Sequence, residues 1–300
     1  MYKIAIVTTA YNQFKDFENW KSHYKKYRDE ISYHIIVDNN SCNEYKSLYK
    51  PEFKNSIILE LPEGKGVTGG YNEAIKYLKI NLKVDFILFL MQDMCIPSGG
   101  IETLVNCLIE DSEIGVIAPI NLYENRSNII REHGGFINKI DFTVSKNYLN
   151  QELDDLIPDM LEVEFLCGGN YMFRSEIFDE IGLFDEKIFM YGDEVDILIR
   201  AANHGYKLIS TTKTICNHEH LYEEINGCRV RFPSNHALYL TGRNYFYLIK
   251  KYGGYSNLVF GLAKAFLKLL RFTLANFLKT RSLVKPSYLA KGFIAGIFKM

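Results

Sequence analysis

Acidic residues stand at several places where a carboxylate could hold a ligand or accept a proton. Asp38 closes the β-branched run IIVD, so it could accept hydrogen bonds from a nucleotide base or ribose, or simply cap a turn. Asp93 follows the apolar run DFILFLM, where a carboxylate suits a hard divalent cation or a structural cap. Asp193 and Glu194 open the segment DEVDILIRA. One of them could act as a base, although acids also favour a helix start for structural reasons.

A glycine-rich segment and a pair of histidines could complete such a site. The segment GKGVTGGYN at 64–72 runs towards a predicted helix, and free backbone N–H groups at a helix start suit a diphosphate. It matches neither the dinucleotide-binding fingerprint nor a P-loop, so a plain strand-to-helix turn is the alternative. His218 and His220 follow a predicted strand, where an imidazole could complete the coordination of a metal or occur by chance on a surface loop.

The elements that would position these residues alternate between strand and helix over the first 120 residues. Strands are predicted at 3–9, 32–37, 56–61 and 85–91, and helices at 14–28 and 71–79. This alternation favours a parallel, doubly wound sheet covered on both faces. Ligands bind beyond the carboxyl ends of such strands, where Asp38, the glycine segment and Asp93 fall.

The remainder of the chain is predicted to be less regular and then helical. Loops and short strands are expected from 120 to 163. A strand interrupted at Gly168 and Gly169 is expected at 162–173. A helix at 193–204 and a strand at 207–216 are expected after it. Two helices close the chain, at 236–252 and 256–280, and the second carries a narrow basic stripe of Lys264, Lys268 and Arg271 on an apolar cylinder.

Charge is divided unevenly along the 300 residues. Residues 1–224 carry 22 Lys and Arg against 36 Asp and Glu, whereas residues 225–300 carry 13 Lys and Arg and no acid. This basic tail predicts an anionic partner.

The chain has 47% hydrophobic residues, which excludes a disordered chain. It has no run of about 18 uncharged apolar residues, which predicts no spanning helix. The six cysteines include no C-x-x-C pair, which argues against a zinc ribbon. The sequence starts in a strand-like segment with no signal peptide before it, which predicts a cytoplasmic protein.

These segments, in this order and spacing, resemble the family 2 glycosyltransferases of the GT-A fold over roughly residues 3–252. The segments similar to that family's first strand, nucleotide site and glycine loop are VTTAYN at 7–12, IVDNNS at 36–41 and GVTGGYN at 66–72. Gln92 and Asp93 take the place of its metal-binding D-x-D. The segments similar to its acceptor-side motifs are CGGN at 167–170, GLFDE at 182–186 and FMYGDEVDILIRA at 189–201.

The resemblance continues into the last strand and the tail. His218, twelve residues after Tyr206, matches the family's metal-contacting histidine. The run RNYFYLIKKY at 243–252 looks like members that build bacterial surface polysaccharides, including rhamnosyltransferases. The family's Glu-Asp pair is swapped here to Asp193 and Glu194, so its base position falls on Glu194 and Asp193 is the rival.

The resemblance implies an inverting, metal-dependent glycosyltransferase with an α/β, Rossmann-like GT-A fold, in which a mostly parallel central sheet is flanked by helices. It implies Mg²⁺ or Mn²⁺ held by Asp93 and His218, and Glu194 or Asp193 as catalytic base. The substrate-binding residues that it implies are Thr9, Tyr11, Asp38, Asn40, Gly66, Gly69, Gly70, Asn72, Gln92, Gly168, Gly169, Asn170 and Arg200.

The expected organisation is a catalytic domain over 1–235, with a nucleotide-binding half at 1–120 and an acceptor-side half at 121–235, and a basic amphipathic helical tail at 236–300. The expected partners are a nucleotide-diphosphate sugar, a lipid-linked glycan acceptor, and an anionic membrane surface bound by the tail at the inner face of the plasma membrane. The alternative is that the tail's apolar face packs on the catalytic domain or on a second subunit, in a homo-oligomer. Nucleic acid is not expected, because the tail is rich in Phe and Leu.

Two other functions remain open at this point. A GT-A module that binds nucleotide sugars without transferring them fits the single acid at Asp93 and the methionine at 94. A nucleotidyltransferase of similar sheet topology would need a glycine-rich basic loop after the first strand, and the segment AYNQ at 10–13 lacks one.

Overall fold

The computed structural model describes residues 2–124, 126–218, 223–225, 228–230 and 233–298, so His220 lies outside the described residues. The helices of the described residues are α1 Phe17–Tyr27, α2 Asn43–Tyr49, α3 Gly66–Asn81, α4 Gly100–Glu110, α5 Ile177–Glu180, α6 Asp193–Asn203, α7 Asn235–Tyr252, α8 Tyr255–Thr280 and α9 Val284–Phe298. The strands are β1 Ile4–Ala10, β2 Tyr33–Asp38, β3 Ile57–Glu60, β4 Phe86–Leu90, β5 Met94–Cys95, β6 Ile114–Tyr123, β7 Arg126–Glu132, β8 Gly135–Ile137, β9 Val144–Lys146, β10 Met160–Glu162, β11 Asn170–Arg174, β12 Lys207–His218, β13 Glu223–Ile225 and β14 Cys228–Val230.

The chain divides into two compact units. The first comprises Met1–Phe136, Lys146–Phe189 and Ile197–His220, and the second comprises Ile137–Ser145, Met190–Asp196 and Leu221–Met300. The large sheet belongs to the first unit, and helices α7, α8 and α9 belong to the second.

The first unit is built on a ten-stranded mixed sheet. Its main path runs in the order β10-β12-β6-β11-β4-β1-β2-β3, and β5 and β7 pair at its side. Strands β3, β2, β1 and β4 are parallel, which confirms the parallel sheet predicted for the first 120 residues. β11 runs antiparallel to both β4 and β6, an arrangement that the sequence pattern does not indicate. β1 and β4 are buried almost throughout, so their apolar runs form the centre of the core.

The glycine segment differs from its prediction as a loop ahead of a helix at 71–79. Helix α3 already begins at Gly66, so Gly66, Gly69 and Gly70 form its first turns. Glycine is a poor helix former, but here the space around the helix decides. A Cβ on Gly70 would lie 2.9 Å from the Thr9 methyl group, and one on Gly66 would lie 2.3 Å from the carbonyl oxygen of Phe189. The helix therefore packs its backbone directly against its neighbours.

The second unit contains the helical tail. The helices predicted at 236–252 and 256–280 are confirmed as α7 and α8, while α9 is an addition that the sequence reading missed. α7 and α9 approach closely, because a Cβ on Gly292 would lie 2.2 Å from the carbonyl oxygen of Tyr239. Phe246 of α7 and Phe293 of α9 pack edge to face in the interior of this unit. None of the helices in the described ranges is long and apolar enough to cross a membrane.

Candidate active site

The carboxyl ends of the first strands meet at one edge of the sheet, as the topology predicts. Ala10 at the end of β1 stands opposite Asp38 at the end of β2, and β4 ends beside β1 at Leu90. Thr8 of β1 donates its hydroxyl to the Leu90 carbonyl oxygen at 2.9 Å, which ties these two strands together at the edge. The segments after β1, β2 and β4 therefore share one region of the first unit.

Asp38 is fully buried at this edge. One carboxylate oxygen accepts the backbone N–H of Ser41 at 2.7 Å, and the other accepts the hydroxyl of Tyr49 at 2.7 Å. Lys46, from the same helix as Tyr49, places its ammonium 3.7 Å from the carboxylate. Asp38 therefore caps the turn that follows β2, which is one of its two predicted roles. Its carboxylate oxygens have further lone pairs, so a contact with a base or ribose stays a prediction.

Asn39 links the end of β2 to the start of α3, a role that the sequence reading missed. Its amide nitrogen donates to the Gly66 carbonyl oxygen at 2.6 Å, and its amide oxygen accepts the Lys65 backbone N–H at 2.7 Å. Asn39 therefore fixes the first turn of α3 beside Asp38. Its place inside the run DNNS is the signal in the sequence that could have found it.

Gly66→Ala is expected to lower the free energy of unfolding by about 2–5 kcal/mol, because it combines a left-handed backbone with an overpacked contact. Gly66 has φ +69°, and its added Cβ would meet Phe189. Gly99→Ala is the matched control, since Gly99 has φ +80° but its added Cβ would meet none of the described residues within 4 Å. Urea unfolding measures both, and equal losses would show that Phe189 imposes no steric limit.

Asp93 and His218 come together although 125 residues separate them. β5 pairs antiparallel with the end of β12, so His218 stands opposite Met94, the residue after Asp93. The Asp93 Oδ2 atom lies 3.2 Å from the His218 Nε2 atom, and His218 is buried. A carboxylate and an imidazole side by side are donors that suit a divalent metal completed by substrate oxygens and water. Within the described residues there is no group of three or more His, Cys, Asp or Glu placed to hold a metal.

Gln92 and Asn170 are buried beside this pair, just after β4 and at the start of β11. The Gln92 amide oxygen accepts the Tyr45 hydroxyl at 3.0 Å, and the Asn170 amide nitrogen donates to the Asn121 amide oxygen at 2.6 Å. The other amide atoms, Gln92 Nε2 and Asn170 Oδ1, are buried without a partner among the described residues. Such groups are costly to leave unsatisfied, so they are available to a ligand or water.

The other predicted ligand contacts in the first unit have three kinds of surroundings. Asn72 and Arg200 hold the backbone near 181–186. The Asn72 amide donates to the Phe184 carbonyl oxygen and accepts the Phe184 backbone N–H, both at 2.9 Å. Arg200 donates to the Ile181 carbonyl oxygen at 2.5 Å. The residues open to solvent at the sheet edge or its neighbouring turn are Thr9, Tyr11, Asn40 and Gly168, which are half-buried or exposed. Gly169 is buried with φ +92°, and its carbonyl oxygen accepts the Met91 backbone N–H at 2.8 Å.

The start of α6 is held by an unusual turn. Phe189, Tyr191 and Gly192 all have positive φ, at 66°, 66° and 101°. Left-handed residues other than glycine are strained, and such strain concentrates at functional sites. In the second unit, the buried Asn244 of α7 donates to the carbonyl oxygens of Met190 and Tyr191, both at 2.8 Å. Asn244 thereby fixes the turn that precedes the two acids.

The two acids at the start of α6 have different surroundings. Asp193 is buried, and burial together with the neighbouring Glu194 carboxylate raises its pKa well above the ordinary value. Both causes disfavour the charged form of Asp193. Glu194 is only half-buried and accepts the Gly192 backbone N–H at 3.2 Å. The accessible carboxylate of the pair is Glu194.

Comparisons with known proteins identify the family to which the chain belongs. The profile of the family described as glycosyl transferase family 2 matches residues 5–182. The chain belongs to glycosyl transferase family 2. The resemblance read from the sequence motifs is thus confirmed, and this family 2 protein is a glycosyltransferase with a GT-A fold.

A relative and several solved structures extend the match. The low-salt glycan biosynthesis hexosyltransferase Agl10 of Haloferax volcanii is 22% identical over 247 residues, which cover 81% of this chain and 74% of that protein. GalNAc-T7 with UDP, GalNAc and Mn²⁺ has a TM-score of 0.62 at 14% identity, over 83% of this chain and 48% of that one, so the present chain spans about half its length. The mannosyltransferase PcManGT of Pyrobaculum calidifontis, with GDP-Man and Mn²⁺, has a TM-score of 0.58 at 14% identity, over 99% and 87% of the two chains. S. aureus TarS 1-349 with UDP-GlcNAc has a TM-score of 0.55 at 13% identity, over 98% and 81%.

Asn244→Ala in this family 2 glycosyltransferase is expected to lower the free energy of unfolding by about 2 kcal/mol, because the Met190 and Tyr191 carbonyl oxygens lose their buried donor. Asn257→Ala removes two exposed bonds in the same unit, one donated to the Lys139 carbonyl oxygen and one accepted from the Ser256 hydroxyl, so its cost stays below about 0.5 kcal/mol. Urea denaturation of both variants measures the difference. Equal midpoints would contradict a role for Asn244 in fixing the turn.

Proposed function

We propose that this glycosyltransferase moves a sugar from a nucleotide-diphosphate sugar to a hydroxyl of a lipid-linked glycan, with inversion at the anomeric carbon. The observation that carries the proposal is the Asp93–His218 pair at 3.2 Å on the sheet edge. A carboxylate and an imidazole converge there, from the segment after β4 and from the end of β12. The hexosyltransferase Agl10 and the nucleotide-bound neighbours support the same substrate class.

The nucleotide-diphosphate lies along the carboxyl edge of β1, β2 and β4 in this proposal. Asp38 and the exposed Asn40 face the base or ribose, with Thr9 and Tyr11 at the end of β1. The positive end of α3 suits the diphosphate, although the Thr68 and Gly69 backbone N–H groups already donate to the Phe189 and Lys65 carbonyl oxygens. The buried amides of Gln92 and Asn170, with Gly168 and Gly169, frame the sugar side.

Asp93 and His218 would hold the divalent cation, Mg²⁺ or Mn²⁺. Their carboxylate oxygen and imidazole nitrogen are adjacent, and oxygen and nitrogen donors both suit Mn²⁺. Two similar structures contain Mn²⁺, which supports this choice. When bound, the ion supplies charge stabilisation to the diphosphate that leaves. The remaining coordination positions would be filled by diphosphate oxygens and water, because the protein contributes two side chains.

Glu194 acts as the general base in this mechanism. It accepts the proton of the acceptor hydroxyl while that oxygen forms a bond to the anomeric carbon and the bond to the diphosphate oxygen breaks. Buried Asp193, whose pKa is raised by burial and by the neighbouring Glu194 carboxylate, positions Glu194 in this proposal. Asn72 and Arg200 act indirectly, by fixing the backbone near 181–186. One displacement inverts the anomeric centre without a covalent enzyme intermediate.

The acceptor is proposed to be lipid-linked, in the assembly of a bacterial surface polysaccharide. The acid-free stretch 225–300, with 13 Lys and Arg, supports association with the anionic inner face of the plasma membrane. The run at 243–252 resembles family 2 members that build bacterial surface polysaccharides. This resemblance supports a hexosyl or deoxyhexosyl donor, with rhamnosyl donors among those to test. A homo-oligomer formed through the tail is the competing use of this surface.

A donor screen tests the proposal. Purified protein with Mn²⁺ is mixed with UDP-, dTDP- and GDP-sugars, and release of the nucleoside diphosphate is measured with and without a metal chelator. Metal-dependent cleavage of one donor class is the expected result. Binding of a donor without cleavage in the presence of acceptor lipid would favour a degenerate nucleotide-sugar-binding module, and pyrophosphate release from a nucleoside triphosphate and a sugar phosphate would favour a nucleotidyltransferase.

A further inference from the structure

A cavity of about 820 Å³ opens in the second unit. Its cationic lining comes from α8, through Lys264, Lys268 and Arg271, and its apolar lining includes Leu238, Phe272 and Leu289. All of these residues belong to the second unit, outside the sheet edge described above. The cavity therefore combines positive charge with an apolar wall, which fits a ligand with an anionic head and a hydrocarbon part.

The three cations of the cavity have unequal partners. Lys264 forms an ion pair with the buried carboxylate of Asp141. Lys268 and Arg271 form no ion pair within the residues that the structure describes. Burial lowers the pKa of Lys268, while the Asp141 carboxylate raises it by more than the charge of Lys264 lowers it. An anion placed between Lys268 and Arg271 would give both cations the ion pair that they lack among the described residues.

The helix that supplies these cations also carries a long exposed apolar stripe. Helical residues that recur every three or four positions share one face. On α8 the apolar residues of this face are Phe260, Leu267, Leu274 and Leu278, and Lys264 and Arg271 lie among them. Leu267, Leu274 and Leu278 are exposed by 52%, 61% and 62%. A surface patch of this kind marks an interaction site rather than an ordinary solvated face.

We propose that the α8 cavity binds the phosphate headgroup of an anionic membrane lipid, with the exposed apolar stripe inserted among the acyl chains. The occupant is a lipid because the cavity wall and the stripe are apolar, and it is anionic because Lys268 and Arg271 line the cavity without an ion pair among the described residues. The inference deepens the proposed function and rests on it for one point only, that the acceptor is presented at a membrane.

Vesicle binding tests the site. Wild-type protein is expected to sediment with phosphatidylcholine vesicles that contain phosphatidylglycerol and to stay in the supernatant with phosphatidylcholine alone. Lys268→Gln/Arg271→Gln should bind the mixed vesicles about 30-fold more weakly, since each basic residue at such a surface contributes about 1 kcal/mol and 1.4 kcal/mol is tenfold. Lys268→Arg/Arg271→Lys keeps both charges and should bind as the wild type does, which separates lost binding from lost folding.

A matched double variant separates a site from diffuse attraction. Arg281→Gln/Lys291→Gln removes two exposed tail charges that do not line the cavity, and its binding should fall less than about threefold. Equal losses in the two double variants would overturn the proposal. A short-chain phosphatidylglycerol should bind in calorimetry, while glycerol 3-phosphate should not; equal affinities would identify a soluble anion instead.

Two further outcomes are decided by the same samples. A dimer in analytical ultracentrifugation that fails to bind any vesicle would assign the α8 stripe to a second copy and overturn the lipid site. Donor cleavage is measured on the wild-type protein without vesicles, so the two proposals fail separately. Vesicle binding without donor cleavage would contradict the proposed transfer reaction and leave the lipid site standing.

Discussion

Replacing Glu194 with glutamine is expected to lower turnover by about 10²-fold or more while the affinity for the donor changes little. The amide keeps the shape of the side chain but cannot accept the acceptor's proton, and general-base help of this kind is worth about 10²–10⁴-fold. Loss in kcat with a steady KM for the donor is the signature of an interaction made in the transition state. Steady-state kinetics with the donor identified in the screen, at saturating acceptor, measures both constants.

Asp193→Asn is the matched control for this result. Burial and the Glu194 carboxylate raise the pKa of Asp193, and asparagine keeps the size of the side chain while removing the carboxylate. We expect the Asp193 variant to lose less turnover than the Glu194 variant. The reverse order would make Asp193 the base and shift the motif register by one residue. Matching circular dichroism spectra would show that both variants are folded.

Much of the sheet edge could be predicted, because each strand there is an apolar run that ends in a polar residue. The run DFILFLM ends just before Gln92 and Asp93, and IIVD ends in Asp38 itself. Parallel strands bring such ends together whatever the rest of the chain does. The sequence also locates the glycine segment correctly but predicts a loop for it. Its helical start at Gly66 depends on close contacts with Thr9 and Phe189, and helix propensity alone does not reveal these.

Two parts of the site depend on contacts without a sequence pattern. The contact of Asp93 with His218 follows from the pairing of β5, and a strand of two residues, Met94–Cys95, is too short to show any periodicity. Asn39 and Asn244 act by bonding to backbone atoms of Lys65, Gly66, Met190 and Tyr191. Asn39 at least lies inside the polar run DNNS, but an amide such as Asn244 looks the same in the sequence as any surface asparagine, so only the folded chain shows its role.

Asp93→Ala is expected to abolish the stimulation of activity by Mn²⁺ and to reduce turnover to the level of chelator-treated wild-type protein. Asp93 supplies the carboxylate of the proposed two-residue metal site, and its neighbour His218 alone offers one neutral nitrogen. A metal that is not held cannot stabilise the leaving diphosphate, so the loss is in kcat. Titration of activity against Mn²⁺ concentration, for the wild type and the variant, measures the effect.

Asp111→Ala provides the comparison for this titration. Asp111 also lies in the first unit and bonds to Lys207, but it stands after α4, away from the sheet edge that carries Asp93. Its loss should leave the Mn²⁺ response unchanged, which separates the removal of a ligand from the removal of one negative charge.

His218→Ala should weaken the Mn²⁺ response, as Asp93→Ala does. The Asp93→Ala/His218→Ala double variant should lose little more than either single variant, because the effects of residues that act on one ion are not additive. A response of Asp93→Ala to Mn²⁺ equal to that of the wild type would remove Asp93 from the metal site and return it to the role of a structural cap at the end of β4.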